Sequence, residues 1–310
     1  ALDNQPVPTR FPTTFTTKDL WQHRKPAPDF SFLAGSCAFF NEPVFDRPGK
    51  PYGGDSSIFA SMAKENAAFH IWMGDNWYTR EADYGSVWGL NYRASRDRSL
   101  PVLQPFMAAM PQYSIWDDHD YGPNDAGKSF IHKQESREIF QSYSLNPSYG
   151  ENGQGIYTVF SYSDADFFLT DDRYFRAEDD WADSIGGKPN AAKTFFGAQQ
   201  LDWLKNALLY SKATFKVIVV GSQVLNPVNR FECMRHFPYE WQELMQFLDE
   251  YKVKGVVFFT GDRHHSEVIR WPRPNNYALL DVTISPYTSG VSKPTGEEAH
   301  NPYREANTLI

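Results

Sequence analysis

The feature that most constrains the fold of this chain is a set of short apolar segments that each end in residue types able to bind a metal. The clearest case is residues 114–120, where Ile115 and Trp116 are followed by three carboxylates and an imidazole. Carboxylates a few ångströms apart raise one another's pKa and resist joint ionisation unless a cation neutralises them. This segment therefore predicts a metal site at the end of a β-strand.

Strand, polar turn and helix alternate at least five times, and no plausible interdomain linker interrupts them. The pattern predicts one α/β domain over residues 30–310, preceded by an extended arm at residues 1–29. In such sheets ligands gather at the carboxyl ends of the strands. The predicted strands are 30–34, 70–73, 112–116, 156–162, 165–170, 215–220, 255–260, 267–271 and 277–284, and the predicted helices cover about 56–69, 100–110, 132–144, 199–210 and 241–248.

The charge and hydropathy of the chain argue against several classes of partner. Its net charge is −8 and it has no cluster of Lys or Arg, which argues against a nucleic-acid backbone as a general partner. No apolar run is long enough to span a membrane. A start at Ala1 suits an exported chain after signal cleavage and equally suits an arbitrary sequence boundary. We expect a periplasmic or secreted protein; the sequence leaves the oligomeric state open, with a monomer favoured.

Potential metal ligands and charged residues occur at successive strand ends. Taken alone, each is weak evidence, because a Gly-Asp after a strand is usually a turn and a lone Cys is usually a small core residue. Their joint occurrence is more specific, since structural needs do not explain it. The residues are Cys37, Asp75, Tyr78, Asp117 to Asp120, Arg173, Asp262 and His264.

Asp75 is the best placed of these residues to bridge two cations. A carboxylate that bridges two metals allows a water between them to be deprotonated near neutral pH and to attack a phosphoester. The thiolate of Cys37, the phenolate of Tyr78 and the imidazole of His264 form a softer, mixed ligand set. Such a set favours a transition metal such as iron.

The remaining candidates favour a harder ion and a phosphate substrate. Asp118 and Asp262 offer only oxygen, which favours calcium, magnesium or manganese. His119 lies next to this second metal in sequence and could donate a proton or hydrogen bond to the leaving oxygen. Arg173, together with Arg176, could hold non-bridging phosphate oxygens with the bidentate geometry of a guanidinium.

These residues resemble the ordered motifs of the PhoD-type alkaline phosphatases, a branch of the metallophosphoesterase superfamily. The resemblance covers about residues 35–290, and five motifs in the right order make it specific. The motifs are Gly35-Ser36-Cys37, Gly74-Asp75-x-x-Tyr78, Trp116-Asp117-Asp118-His119-Asp120, Asp171-x-Arg173-x-x-Arg176 and Gly261-Asp262-x-His264.

The resemblance implies a four-layer α-β-β-α sandwich of two mixed sheets flanked by helices, the calcineurin-like architecture. It also implies hydrolysis of phosphomonoesters and phosphodiesters outside the cytoplasm, by an Fe(3+) and Ca(2+) centre for which Mn or Mg can substitute. More than one Ca is compatible with it. By similarity, the iron ligands are Cys37, Asp75, Tyr78 and His264, the calcium ligands are Asp75, Asp118 and Asp262, and further metal or substrate contacts are Asp117, Asp120, Asn124, Arg176, Gln223 and His265.

Two alternatives stay open. The first is a mononuclear or oxygen-only metal hydrolase in which Cys37 is merely buried. The second is a calcium-dependent phosphate- or glycan-binding protein that performs no chemistry. Several other residues are assigned structural roles: His70 as a hydrogen-bonded histidine, Cys233 as a packing residue, and Arg80, Arg93, Arg96 and Arg98 as arginines that solvate surface loops.

Overall fold

The computed structural model describes residues 10–11, 17 and 19–309, with side chains as far as residue 305. Most of the first 18 residues of the predicted arm lie outside the described residues. In the described part of residues 1–29 there is no helix or strand. The extended arm over residues 1–29 stays a prediction.

A three-stranded parallel sheet is formed by β1 (Leu33–Gly35), β2 (His70–Met73) and β3 (Gln112–Ile115), in the order β1-β2-β3. In its register Gly35 lies opposite Trp72, and Met73 lies opposite Ile115. Because the strands are parallel, their carboxyl ends lie at one edge of the sheet. The turns that follow the three strands therefore start side by side.

A larger, seven-stranded mixed sheet has the order β12-β10-β11-β9-β8-β5-β4. The pairs β5–β8, β8–β9 and β9–β11 are parallel, and the other three pairs are antiparallel. A short hairpin of β6 and β7 stands apart from it. The strands are β4 (Thr158–Tyr162), β5 (Ala165–Leu169), β6 (Ser184–Ile185), β7 (Lys188–Pro189), β8 (Phe215–Val220), β9 (Val256–Thr260), β10 (Ser266–Trp271), β11 (Leu279–Thr283) and β12 (Arg304–Leu309).

Seven α-helices are present in the described part of the chain. They are α1 (Ser57–Met62), α2 (Val87–Arg98), α3 (Gln104–Ala109), α4 (Asp118–Tyr121), α5 (Lys133–Tyr143), α6 (Gly197–Tyr210) and α7 (Pro238–Glu250). Among the described residues no helix is both long enough and apolar enough to cross a bilayer.

The two sheets pack face to face, and helices cover their outer faces. Phe69, just before β2, and Ile71 of β2 meet Phe167 and Val219 of the large sheet in one core. The next residue along β5, Phe168, points the other way and packs against α6 and α7. This alternation is what a strand buried on both faces requires. On the outer face of the small sheet, α1 and α3 cover Trp72 through Phe59 and Phe106. The predicted four-layer sandwich is confirmed, with a smaller sheet that is wholly parallel.

Some sequence-based predictions of local structure were wrong. Helix α2 was not predicted, α1 is shorter than expected, and β12 lies in a C-terminal segment where no strand was predicted. Arg80, Arg93 and Arg98 do not solvate surface loops, because all three are buried. Arg93 pairs with Asp83 inside the protein. A helix whose buried face carries ion pairs lacks the apolar periodicity from which helices are predicted.

Candidate metal centre

The candidate metal centre lies where strands of both sheets end. Cys37 follows β1, Asp75 follows β2, and Asp262 and His264 follow β9. All four have a positive φ, at 64°, 52°, 64° and 55° respectively. A left-handed residue directly after a strand turns the chain sharply, so that these side chains lie close together instead of continuing the strand's alternation. Gly74 also has a positive φ, of 91°, and a Cβ on it would lie 2.6 Å from the Cβ of Asp117.

The first group of donors contains sulfur, oxygen and nitrogen. Potential ligand atoms of Cys37, Asp75 and His264 lie within 4.8 Å of one another. The Sγ of Cys37 is 3.6 Å from Oδ2 of Asp75. The hydroxyl of Tyr78 lies 3.2 Å from Nε2 of His264. The structure therefore brings together all four residues that were predicted to hold iron.

The second group contains oxygen and imidazole donors. Potential ligand atoms of Asp75, Asp118 and His119 again lie within 4.8 Å of one another. The backbone N–H of His119 donates to Oδ1 of Asp75 over 3.3 Å, and the N–H of Asp125 donates to Oδ2 of Asp118 over 2.9 Å. Asp75 is common to both groups. A bridging ligand has to belong to both groups, and the bridging role of Asp75 stays a prediction.

Burial and mutual repulsion disfavour the charged forms of these groups. Burial, then Asp118 and Cys37, raises the pKa of Asp75 well above its usual range. Burial raises the pKa of Asp262 to about 6 and that of Cys37 to about 11. Oδ2 of Asp262 is buried and has no hydrogen-bond partner among the described residues. Added positive charge would favour the anionic forms of all three, so the residues present fit a bound metal pair.

Asp118 differs from Asp75 in the direction of its pKa shift. Burial alone would raise its pKa, but the charges of His119 and Arg173 outweigh burial and lower the pKa to about 2. For His119 the main effect is burial, which lowers the pKa, while Asp118 acts against it. Nε2 of His119 lies 3.8 Å from Oδ2 of Asp118. The pair thus places an imidazole beside a carboxylate whose pKa is low.

Arg173 is enclosed by carboxylates. It is fully buried; its Nε donates to Oδ1 of Asp117 over 2.6 Å, and its two terminal nitrogens donate to the carboxylate of Glu232. Burial opposes the charge of Arg173, but Asp117 and Glu232 outweigh it and raise its pKa well above the usual range. Arg176 is also buried and contacts Glu232 over 3.1 Å. The role of both arginines in binding phosphate stays a prediction.

Four further predicted residues lie at different places around the centre. Asp120 accepts from the N–H groups of Asn76 and Asp117, over 3.1 and 2.6 Å, which fixes the turn after β3. Asn124 lines the same cavity as Tyr78 and His119. The remaining two belong to a buried polar network: Gln223 donates to Glu267 over 2.7 Å, and His265 lies 3.4 Å from Glu267.

Three residues at the centre were missed by sequence reasoning. The hydroxyl of Tyr52 lies 3.0 Å from Nδ1 of His264. The hydroxyl of Ser285 lies 3.1 Å from Sγ of Cys37 and accepts from the N–H of His264 over 3.0 Å. Glu232 is the third. No local pattern marks them, because each lies in a loop far in sequence from the residues that it contacts.

A comparison with known proteins finds a relative of this chain. The chain is 26% identical over 286 residues to alkaline phosphatase D of Bacillus subtilis (strain 168), an alignment that covers 77% of this chain and 46% of that protein. The chain thus spans less than half the length of that relative.

Two solved structures are similar in fold. The first is described as the structure of PhoD, with a TM-score of 0.68 and 21% identity, over 86% of this chain and 58% of that chain. The second is the purple acid phosphatase PPD1 from yellow lupin (Lupinus luteus) seeds, with a TM-score of 0.52 and 13% identity, over 84% of this chain and 45% of that chain. Both comparisons show that this chain shares the overall fold of these two proteins. The sequence profile of the PhoD-like phosphatases matches residues 32–308, which is most of the chain, and this chain therefore belongs to the PhoD-like phosphatase family.

Proposed function

We propose that this protein is a metal-dependent phosphoric ester hydrolase that acts on phosphomonoesters, phosphodiesters or both. The observation that carries the proposal is the position of Asp75, which belongs at once to the group with Cys37 and His264 and to the group with Asp118 and His119. One carboxylate shared by two donor groups is the arrangement that a two-metal hydrolase needs. Membership of the PhoD-like phosphatase family supports the same reaction.

The two donor groups differ in softness, and we assign the metals accordingly. The group with the thiol, phenol and imidazole suits Fe(3+), and the carboxylates of Asp118 and Asp262 suit Ca(2+), with Mn or Mg as substitutes. Asp75 would bridge them. When bound, such a pair supplies a nucleophile near neutral pH and neutralises charge on the phosphoester oxygens.

His119 is the residue that we assign to proton transfer. Its side chain is 24% exposed and lines a cavity of about 740 Å³, so it can reach a substrate. A proton on Nε2, beside the carboxylate of Asp118, would be donated to the leaving oxygen. Asn124, Tyr52 and Tyr84 line the same cavity and would contact the organic part of the ester.

Arg173 acts, in this proposal, through the residues that it holds. Its donors are engaged by Asp117 and Glu232, which fixes the start of α4. Asp118 and His119 are the first two residues of that helix. Arg173 is therefore a positioning residue, and a direct contact between it and substrate would require the loop of Glu232 to move.

Two further features complete the proposal. We assign the whole reaction to a single catalytic domain, residues 30–310. We place the protein outside the cytoplasm, in the periplasm or secreted. Fractionation of producing cells tests the location, since a purely cytoplasmic enzyme would contradict it.

The function is tested with p-nitrophenyl phosphate and bis(p-nitrophenyl) phosphate, in the presence of iron and calcium, and by elemental analysis of the purified protein. We expect turnover of at least one ester, bound iron, and visible absorption that is lost in Tyr78→Phe. Asp75→Asn should lose both metals and measurable hydrolysis.

Two results would redirect the proposal. If Cys37→Ala keeps its iron content and absorption, the mixed-ligand site is wrong and an oxygen-only hydrolase is favoured. If neither ester is turned over while phosphate or a glycan binds tightly with calcium, the protein is a receptor.

A further inference from the structure

A second cavity, of about 690 Å³, lies beside β3, at the edge of the small sheet, and none of the metal-centre residues lines it. Its walls come from the ends of α2 and α5 and from α3. Met107, Met110 and Leu145 give it an apolar surface. The charged residues among its lining are Arg10 and Arg98, and no carboxylate of the described residues lines it.

Arg98 is the unusual residue of this cavity. It is the last residue of α2 and only 8% exposed, yet none of its three guanidinium nitrogens has a hydrogen-bond partner among the described residues. A buried guanidinium without an acceptor is costly. The guanidinium carbon of Arg98, Cζ, lies 4.4 Å from the ring centre of Trp72 and 5.3 Å from that of Trp77. These rings stabilise the positive charge by cation–π contact, but they offer no conventional hydrogen-bond acceptor for the N–H groups of Arg98.

Neighbouring carboxylates do not supply the missing acceptor. Asp97 and Asp120 act on the charge of Arg98, but Asp97 accepts from Arg96 and Asp120 accepts from Asn76. Burial remains the dominant effect and lowers the pKa of Arg98 to about 10, so the side chain is still cationic near neutral pH. An acceptor from outside the described residues would complete this site.

A second polar group of the cavity is also without a partner. Ser144 follows α5 and is 2% exposed, and its Oγ makes no hydrogen bond to a described residue. In contrast, the side chain of the cavity-lining Gln104 donates to the carbonyl of Arg98 over 2.8 Å. Arg98 and Ser144 are thus two polar side chains of the lining with buried donors that have no partner among the described residues.

We propose that this cavity binds a small organic anion, whose carboxylate or phosphate head accepts hydrogen bonds from Arg98 and Ser144 and whose apolar body lies along Met107, Met110 and Leu145. A guanidinium presents two parallel N–H groups that match either head. A cavity of several hundred Å³ with apolar walls and a few polar groups is typical of small-molecule sites. The site is separate from the proposed phosphoesterase centre and does not depend on its activity.

The test is calorimetric titration of the metal-loaded protein with octanoate, with the non-hydrolysable octylphosphonate, and with the neutral octanamide. We expect saturable binding of at least one anion and at least tenfold weaker binding of octanamide. The anion that binds more tightly identifies the preferred head. Arg98→Met should weaken the anion at least tenfold, and Arg270→Met, which removes an exposed arginine from β10, should not.

Two variants keep the test decisive if Arg98→Met does not fold. Ser144→Ala should weaken the anion several-fold, and Met107→Trp, which fills the cavity, should abolish binding while ester hydrolysis is unchanged. Equal binding of octanoate and octanamide, or anion binding that survives Met107→Trp, would overturn the proposal. Absence of saturable binding of both anions would overturn it as well.

Discussion

Two neighbouring clusters of buried acids differ in how their charge is balanced. In the arginine cluster, Glu232 lies between Arg173 and Arg176, which outweigh burial and lower its pKa. In the metal-centre cluster, burial raises the pKa of Asp75 and Asp262, and neither forms an ion pair with an arginine or lysine of the described residues. The fold thus balances the charge of Glu232 with its own arginines. It leaves Asp75 and Asp262 without such a partner, at the place where a cation from outside would complete the site.

The largest expected effect concerns the arginine cluster. Glu232→Gln leaves two buried arginines without their shared counterion, and breaking a buried pair in this way costs about 3–5 kcal/mol. The free energy of unfolding, measured by urea denaturation with chelator present, should fall by that amount. The matched control is Glu243→Gln, which removes the partner of Lys205 at a more exposed ion pair and should cost less than about 1 kcal/mol. Equal effects of the two variants would contradict the comparison.

The second prediction concerns the metal-centre cluster and the way in which its stability depends on pH. The folded pKa of Asp262, about 6, lies above its usual value of 3.8, so the folded protein holds a proton that the unfolded chain releases. Stability should therefore fall as the pH rises from about 4 to 6, by up to ~3 kcal/mol from this residue. Asp262→Asn cannot titrate and should lose this part of the slope.

This comparison requires metal-free protein, since a bound cation would favour the ionised form of Asp262. Urea denaturation with EDTA at several pH values gives the slopes of the wild type and of Asp262→Asn. Asp202→Asn, an exposed change on α6, is the control and should keep the wild-type slope. Parallel curves for wild type and Asp262→Asn would show that the acid is not destabilised by burial.

The smallest expected effect concerns the rim of the metal-centre cluster. Tyr52→Phe removes the hydroxyl that contacts Nδ1 of His264 and that would orient this imidazole. Loss of such a supporting contact typically lowers metal affinity or activity about 10-fold or more. Iron affinity measured by chelator competition should fall accordingly. Tyr84→Phe, in the same cavity, is the control, and a similar loss in both variants would exclude an orienting role for Tyr52.

The metal-centre cluster was largely predictable because its parts are local in sequence. Asp75 and Asp262 each come two residues after an apolar strand, and the parallel arrangement brings such exits together. The arginine cluster was not predictable in the same way. Arg173 and Glu232 are 59 positions apart, and nothing in the local sequence of Glu232 marks it as the counterion. Its place is set by tertiary packing of a loop.

Buried charge also explains the errors elsewhere. Helix α2 buries Arg93, Asp97 and Arg98, so its inner face is charged and gives no apolar period. For the same reason Arg98 was interpreted as a surface residue, and the cavity beside β3 left no trace in the sequence pattern. The edge strand β12 follows a segment rich in Pro, Gly and Ser, whose composition indicates a loop.

The left-handed backbone at Cys37, Asp75, Asp262 and His264 has a consequence for how this protein could be stabilised. Each non-glycine residue in that conformation costs about 1–2 kcal/mol relative to the right-handed region, a cost that glycine avoids. A search for heat-resistant variants of the metal-free protein would therefore select glycine at these four candidate ligand positions. Selection in the presence of a bound metal would oppose this change. A metal that binds only the folded state stabilises it, and glycine has no side chain to hold one.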